Sequence, residues 1–340
     1  MPYPLTDRTP WTTRARVRWL IAPAVVGLLA LAVVLAACGG GTAAPGSGGS
    51  VAPMAPTLSK IVIAIQPTNT PEQLTADAKE LQDFLAKRLG RPVEIVFPTT
   101  YAGVIEALRF GHAQAAFMSA WPLALAERRA GAEIALAEIR EVAIGQQKTE
   151  APYYYSYWVV RPESPYTKLS DLRGKKASFP STLSTSGYVA PLARLVELGL
   201  LTRDGTREVD PKRFFGDVLL SGGYGQSWEA LKAGQVDVTV IAGDVSENLY
   251  RDVLANTRVI DQQGPIPSHG VALAKSLDPD SRAKLIDALM QLNEPAQLGL
   301  MRKFVSGIFV RFEPTNGEKH LASLNGFLQQ TQLDFVERLR

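Results

Sequence analysis

The chain has 340 residues, with 36 lysines and arginines, 33 aspartates and glutamates, and a single cysteine. This length is enough for two domains of ordinary size, and one cysteine excludes an internal disulfide. The isoelectric point near 8.9 largely reflects the N-terminus. Removing residues 1–37 takes away four basic residues and one acidic residue, which leaves 32 of each. The remaining chain is neutral, so its composition does not favour a nucleic-acid or general polyanion partner.

The N-terminus has the three parts of an export signal. Three arginines precede an apolar run over residues 20–37, which ends in small residues. The segment Leu35-Ala36-Ala37-Cys38 resembles the lipobox of bacterial lipoproteins, which implies cleavage before Cys38 and lipidation of that cysteine. We predict a lipoprotein signal peptide over 1–37, with a membrane-spanning anchor as the alternative. Residues 38–57, rich in Gly, Ala, Pro and Ser and without charge, predict a flexible tether.

Strands and helices alternate from residue 58 onwards. Short β-branched or aromatic apolar runs predict strands at 60–65, 93–97, 115–118, 153–160, 176–179, 218–220, 236–241 and 271–275. Capping residues and apolar residues at helical spacing predict helices at 71–89, 101–111 and 122–130, from about 186, from 211, at 226–233, and from 279. The alternation predicts an α/β fold with largely parallel, wound sheets.

The segment Ser184-Thr185-Ser186-Gly187 places three hydroxyls and a glycine at the start of a predicted helix. A helix N-terminus offers unpaired backbone N–H groups and a partial positive charge, so hydroxyls placed there can converge on a tetrahedral oxyanion. Serine and threonine are also the commonest N-caps, and capping alone is the alternative. The segment therefore indicates an anion site that depends on evidence from the rest of the chain.

Several local motifs, in this order, resemble those of a known family: Thr100-Tyr101, Tyr154-Tyr155-Ser156, the Ser184–Gly187 run, residues 234–238 and Pro265-Ile266-Pro267. Together with the export signal, they resemble the phosphonate, phosphite and phosphate binders of ABC importers, the PhnD-like group of type II periplasmic binding proteins. The resemblance spans nearly all of the folded region. It implies a two-lobed α/β clamshell whose lobes are joined by two crossing hinge strands.

The same resemblance implies the lobe boundaries and the first ligand contacts. Lobe one is expected over 58–156 plus 268–340, and lobe two over 157–267. The hydroxyls and N–H groups of Ser184, Thr185 and Ser186 would hold the oxyanion. Tyr101 would reach it from lobe one and Tyr154 from the crossover strand, with Tyr155 left as a second candidate for the pocket wall. Packing is the alternative for each tyrosine.

Three positions bear on the choice of ligand, and the chain departs from the family at two of them. Members that bind aminoalkyl phosphonates have a histidine where this chain has Tyr224, and two carboxylates where it has Asp244 and His269. A histidine in place of a carboxylate removes an acceptor for an ammonium group and can supply a donor for an oxyanion. We expect all three residues to contact a compact ligand without an amine. A structural hinge histidine is the alternative for His269.

Asp244 needs a separate explanation because a carboxylate repels an oxyanion. It can accept a hydrogen bond from a protonated P–OH, which would discriminate against sulfate and sulfonates. Alternatively, it caps a helix that begins at Val245.

The remaining aromatic and histidine residues are assigned by their surroundings. Ser119 and Trp121 follow a predicted strand at its cleft-facing end and are candidates for the pocket wall. Trp228 lies in a helix with an apolar residue three positions on and is expected to be core. His112 and His320 lie in polar contexts and are expected to be solvated.

No metal-ligand spacing, P-loop or nucleophile-elbow motif is present in the sequence, so no metal, cofactor or enzymatic activity is predicted. The resemblance implies an extracytoplasmic, monomeric lipoprotein. It would capture phosphite, phosphate or a methylphosphonate-like ion and deliver it to an ABC permease and its ATPase. It would be anchored through Cys38 to the outer face of the cytoplasmic membrane or lie in the periplasm. The alternatives are a binder of a sulfonate or thiamine precursor, and a sensory lipoprotein with the same pocket.

Overall fold

The computed structural model describes residues 59–333 except 67–70, 145–146, 204, 206 and 305–306. The predicted signal peptide and tether lie outside the described residues, and no described helix is long and apolar enough to cross a membrane. The described strands are β1 (Ile61–Ile65), β2 (Val93–Val96), β3 (Ala115–Met118), β4 (Glu133–Ile144), β5 (Gln147–Ala151), β6 (Tyr153–Val160), β7 (Lys176–Phe179), β8 (Asp217–Leu220), β9 (Val238–Ala242), β10 (Arg258–Pro267), β11 (Gly270–Leu273) and β12 (Phe309–Pro314). The described α-helices are α1 (Pro71–Leu89), α2 (Tyr101–Arg109), α3 (Ala120–Ala130), α4 (Ala190–Glu197), α5 (Tyr224–Lys232), α6 (Glu247–Ala255), α7 (Pro279–Met290), α8 (Leu298–Phe304), α9 (Gly317–His320) and α10 (Ala322–Thr331).

The described strands form two mixed sheets of similar plan. The first sheet has the order β12-β4-β11-β3-β1-β2, with β5 paired to β4. The second has the order β10-β6-β9-β7-β8. In each sheet three neighbouring strands run parallel, β2-β1-β3 in the first and β8-β7-β9 in the second, and a strand from later or earlier in the chain pairs with them antiparallel. This arrangement brings the carboxyl ends of the parallel strands to one edge of each sheet, where α/β proteins bind ligands.

The chain passes from the first sheet to the second between β5 and β6, and returns between β10 and β11. The two passages lie side by side, because the Ser268 N–H donates to the Pro152 carbonyl at 2.9 Å. The lobe boundaries at 156/157 and 267/268 stay a prediction.

The parallel strands follow the apolar pattern of their sequence. Every residue of β1 and of β9 is buried, as expected for strands covered on both faces. Strands β4, β5, β10 and β12 were not predicted from the sequence. The helix predicted from residue 211 is wrong, because the segment is a 3₁₀ turn over Pro211–Arg213 that ends at Phe214.

An aromatic cluster beneath the second sheet supports the start of the predicted anion-binding helix. The ring centroids of Trp158 and Phe179 lie 5.9 Å apart, and Phe179 lies 5.5 Å from Tyr188 in an edge-to-face arrangement. Edge-to-face pairs at these distances are favourable. The cluster therefore fixes β7 and the Ser184–Gly187 segment that follows it.

Candidate functional site

The segment Ser184–Gly187 forms a capped helix start, as its sequence predicts. The Ser184 Oγ accepts a hydrogen bond from the Gly187 N–H at 2.9 Å. One π-helical turn over Thr185–Val189 leads directly into α4, with Pro191 close to the start of the α-helix. A Cβ on Gly187 would lie 2.2 Å from the Pro180 side chain, so only glycine fits there.

This helix start combines anion-binding character with almost complete burial. The N–H groups of Thr185 and Ser186 belong to the first turn and have no acceptor within the helix. Ser186 is only 4% exposed, and its two neighbours in the hydroxyl run are similarly buried. Unpaired N–H groups and the positive end of the helix dipole here face a site from which water is largely excluded.

Two tyrosines converge on Ser186 and complete a cluster of hydroxyls. The Tyr154 hydroxyl, from β6, donates to the Ser186 Oγ at 3.0 Å. The Tyr224 hydroxyl, at the first residue of α5, lies 2.7 Å from the Ser186 Oγ and 3.4 Å from the Ser184 Oγ. We call Ser184, Ser186, Tyr154 and Tyr224 the hydroxyl cluster. Tyr155 lies outside it, because it packs against the apolar cluster around α5 and α6.

Tyr101 approaches from the first sheet, at the first residue of α2. Thr100 caps this helix through the Gly103 N–H at 3.0 Å. Burial raises the pKa of Tyr101 to about 12, the Asp244 carboxylate adds to the rise, and a hydrogen bond with Gln66 opposes it. Burial also raises the pKa of Tyr154 and Tyr224 above the ordinary tyrosine value. All three tyrosines therefore keep their protons at physiological pH and can donate hydrogen bonds to an anion.

Ser119 is bonded within the first-sheet side of the site, and Trp121 connects that side to the helix start. The Ser119 N–H and Oγ both donate to the Gln66 Oε1, at 2.9 and 3.1 Å. The Trp121 N–H, in the first turn of α3, donates to the Thr185 Oγ1 at 2.8 Å. The Trp121 side chain is fully buried, and the Arg128 guanidinium carbon lies 5.8 Å from the centroid of the Trp121 ring. The hydroxyl of Thr185 thus joins elements of the two sheets directly.

A buried group of charges borders these hydroxyls, and the sequence analysis missed two of its three members. The Arg140 guanidinium, from β4, donates from Nε and Nη2 to the Glu138 Oε2 at 2.8 and 2.6 Å. Its Nη1 donates to the Asp244 Oδ2 at 2.9 Å. We call Glu138, Arg140 and Asp244 the charged triad. The available signal was a Glu-x-Arg pair inside a largely apolar strand, because alternate residues of a strand point to the same face.

Asp244 does not cap the helix that follows it, because the N-cap of α6 is Ser246. The capping explanation is therefore wrong. Burial raises the pKa of Asp244 to about 6, Arg140 opposes the rise and Glu138 adds to it. Its carboxylate also raises the pKa of Tyr101 and Tyr154, which places it beside the hydroxyls.

His269 adjoins the charged triad but carries no charge at neutral pH. Its Nε2 lies 3.6 Å from the Asp244 Oδ2. Burial lowers its pKa well below the ordinary histidine value, and Arg140 and His320 add to the effect. The expectation of a solvated His320 is wrong, because that side chain is buried and its Nε2 lies 3.0 Å from the Ser268 carbonyl oxygen. His112 is exposed, as predicted.

Other features of the described residues lie away from the hydroxyl cluster. Trp228 is buried, as predicted, and its indole N–H donates to Asp252 at 2.7 Å. A cavity of about 260 Å³ is lined by residues that include Tyr153 and Lys319 but by none of the cluster. Within the described ranges, no group of three or more His, Cys, Asp or Glu is arranged to hold a metal ion.

Comparison with known proteins identifies a family and a set of relatives. A family model described as "ABC transporter, phosphonate, periplasmic substrate-binding protein" matches residues 63–320. The chain is 29% identical over 178 residues to the "Phosphate-import protein PhnD" of Mycolicibacterium smegmatis, a match that covers 52% of this chain and 53% of that protein. It is 26% identical over 220 residues to the "Phosphonates-binding periplasmic protein" of Escherichia coli, covering 62% of this chain and 59% of that protein. The chain therefore spans little more than half the length of each of these curated relatives.

Solved structures show the same fold. A binding-protein component of an ABC phosphonate transporter from Pseudomonas aeruginosa superposes with a TM-score of 0.66 at 20% identity, covering 80% of this chain and 86% of that one. PhnD1 from Prochlorococcus marinus, solved in complex with methylphosphonate, has a TM-score of 0.62 at 14% identity and covers 81% of this chain and 98% of that one. The predicted type II periplasmic binding fold is confirmed.

Proposed function

The chain belongs to the phosphonate-binding family of ABC-transporter periplasmic substrate-binding proteins, and we propose that it captures a small phosphorus oxyanion such as phosphite, phosphate or methylphosphonate. This family binds substrates for transport and is not a family of enzymes, in agreement with the sequence analysis. The observation that carries the proposal is the hydroxyl cluster, in which Ser186 meets Tyr154 and Tyr224 at a buried helix N-terminus.

The cluster has the chemistry that a tetrahedral oxyanion requires. Ser184 and Ser186 hold hydroxyls at the helix start, and Tyr154 and Tyr224 meet them from two other elements. Tyr101 adds a protonated hydroxyl from the first sheet. Hydrogen bonds to an ionised acceptor are about twice as strong as those between neutral groups, so an anion would replace the hydroxyl–hydroxyl bonds at a net gain.

Asp244 supports a preference for an anion that still carries a proton. Its carboxylate is an acceptor beside a set of donors, and a P–OH group can donate to it. Sulfate has no such proton near neutral pH and would meet only repulsion. The residue at 269 is a neutral histidine rather than a second carboxylate, which supports a ligand without an amine.

Calorimetric titration of the purified protein with phosphite, phosphate, methylphosphonate, sulfate and 2-aminoethylphosphonate tests the proposal. We expect one of the first three to bind most tightly, with a Kd near or below micromolar, or about 8 kcal/mol of binding free energy. Tightest binding of the amine would refute the compact-ligand assignment. Equal binding of sulfate would refute the role of Asp244.

We further propose that the protein acts outside the cytoplasm, tethered through a lipid on Cys38, and presents its ligand to an ABC permease and its ATPase. The support is the signal-like N-terminus with its single cysteine, together with the family to which the chain belongs. Deleting the ABC permease that it serves should abolish uptake of the bound oxyanion. Uptake that persists without the permease would instead indicate a sensory role.

A further inference from the structure

The charged triad is almost completely removed from water and lies next to the hydroxyl cluster. Glu138 is fully buried, Arg140 is 2% exposed and Asp244 is 9% exposed. Two carboxylates and one guanidinium give the triad a formal charge of −1, and the neighbouring His269 is neutral. Buried charges interact strongly because little solvent screens them, so the balance within the triad affects any charged ligand beside it.

Arg140 lies between two carboxylates that come from opposite sides of the site. Its Nε and Nη2 hold Glu138, which is on its own strand β4 in the first sheet. Its Nη1 holds Asp244, which follows β9 in the second sheet. Without this guanidinium, Glu138 and Asp244 would form a buried pair of like charges, which is a binding site for a cation.

A second observation indicates that the carboxylates of the charged triad can accept more hydrogen bonds than they receive. The Glu138 Oε1 is buried and accepts no hydrogen bond from any described residue, whereas the Oε2 accepts two from Arg140. Buried carboxylate oxygens normally have partners, because leaving one unpaired is costly. The group around Arg140 therefore retains acceptor capacity for a positively charged donor.

We propose that Arg140 is a positioning residue that sets ligand selectivity: its guanidinium takes, from within the protein, the place between Glu138 and Asp244 that a cationic substituent of the ligand would otherwise occupy. This inference rests on the proposed function and assigns it a determinant. With Arg140 in place, a ligand amine finds the Asp244 Oδ2 already paired, whereas a phosphorus oxyanion meets one net negative charge instead of two. Arg140 acts through Asp244 and makes no contact with the ligand itself.

The test compares three ligands that differ in one group: methylphosphonate, ethylphosphonate and 2-aminoethylphosphonate. The last two have the same carbon chain, so the ratio of their Kd values isolates the amine. We expect the wild-type protein to prefer ethylphosphonate by at least about tenfold. Arg140→Met should reverse the preference, and at a pH above the further raised pKa of Asp244 it should weaken ethylphosphonate binding by about 10–100-fold, because two uncompensated carboxylates then face the ligand.

Three further variants separate this role from a merely structural one. Arg140→Lys keeps the positive charge and should keep the wild-type preference. The double variant Glu138→Gln/Arg140→Met has the same net charge as the wild-type triad but leaves Asp244 unpaired, so it should gain affinity for the amine and retain ethylphosphonate within about threefold. Arg194→Met removes an ion pair with Asp261 elsewhere on the protein and should change the affinity for neither ligand.

Thermal unfolding verifies that each variant is folded. If Arg140→Met does not fold, the Kd ratio of the double variant Glu138→Gln/Arg140→Met tests the inference in its place. If the ratio of the ethylphosphonate and 2-aminoethylphosphonate Kd values stays at the wild-type value in Arg140→Met and in the double variant, the inference is overturned while the proposed function stays intact. If Arg140→Lys and the double variant both fail to bind any of the ligands, the inference is also overturned, because Arg140 would then bind the oxyanion directly. If the wild-type protein bound none of the phosphorus oxyanions, the proposed function would fail, and this inference with it.

Discussion

Replacing Ser186 by alanine should weaken oxyanion binding in addition to its cost to the stability of the fold. The Ser186 Oγ lies 3.0 Å from the Tyr154 hydroxyl and 2.7 Å from that of Tyr224. Ser186 lies at a helix N-terminus and is 4% exposed. Without ligand, the substitution removes hydrogen bonds between neutral groups, which contribute about 0.5–1.5 kcal/mol each. With an anion bound, it removes a charge-assisted hydrogen bond of about 1.5–3 kcal/mol.

The affinity change is the bound-state cost minus the ligand-free cost of one such bond, about 1–1.5 kcal/mol, so the expected loss of affinity is about 5–12-fold, since 1.4 kcal/mol corresponds to a factor of ten. Ser178→Ala is a matched control. Ser178 is also a fully buried serine bonded to another hydroxyl, that of Ser227 at 3.0 Å, but it lies in β7 outside the hydroxyl cluster. Both variants should lose similar stability, and only Ser186→Ala should lose affinity.

Calorimetry with the tightest-binding phosphorus oxyanion and urea unfolding of the ligand-free protein measure the two quantities. An affinity of Ser186→Ala within about threefold of the wild type would refute the assignment of the hydroxyl cluster as the anion site. Equal affinity losses in Ser186→Ala and Ser178→Ala would show that the effect reaches the site through the fold.

Four other predictions concern Thr185, Asp244 and Cys38. Thr185→Val removes the acceptor of the buried Trp121 N–H and should destabilise the ligand-free protein by about 1–3 kcal/mol in urea unfolding, whereas Thr185→Ser should not. Asp244→Asn should gain sulfate affinity in calorimetry, and unchanged selectivity would contradict the P–OH role. The pKa of Asp244 is raised from 3.8 to about 6, so the folded protein holds this proton more tightly than the unfolded chain does. The wild type should accordingly lose about 3 kcal/mol of stability relative to Asp244→Asn as the pH rises from about 3 to about 7, and parallel pH profiles would disprove the shift. Cys38→Ser should abolish incorporation of labelled fatty acid and release the protein from the membrane fraction, and retention there would favour a spanning anchor.

The local part of the site could be predicted because its residues are contiguous. Ser184–Gly187 encodes its own cap and helix start within four residues, and the structure shows both. The strands β1 and β9 could be predicted equally well, since a strand that is covered on both faces appears in the sequence as a continuous apolar run. Such features depend on neighbours in the chain, and sequence patterns report those neighbours.

The hydrogen bond that completes the charged triad could not be predicted in this way, because it joins distant parts of the chain. Arg140 and Asp244 are 104 positions apart and come from different sheets. From sequence, Asp244 had two explanations, a P–OH acceptor or a helix cap, and neither included a buried guanidinium. His320 was misjudged for the same reason, since its polar sequence context gave no sign that the Ser268 carbonyl oxygen would lie 3.0 Å from its ring in the folded protein.

The site separates the groups that are available to a ligand from those that are already engaged. The hydroxyls of Ser186, Tyr154 and Tyr224 bond to one another, and bonds between neutral groups are readily exchanged for stronger bonds to an anion. The guanidinium of Arg140 makes three bonds to carboxylates, and breaking a buried ion pair costs several kcal/mol. On the proposed function, a phosphorus oxyanion would therefore compete only with the weaker set. An amine would have to compete with the stronger set, so selectivity would arise from which internal bonds the ligand must replace as much as from the donors that face it.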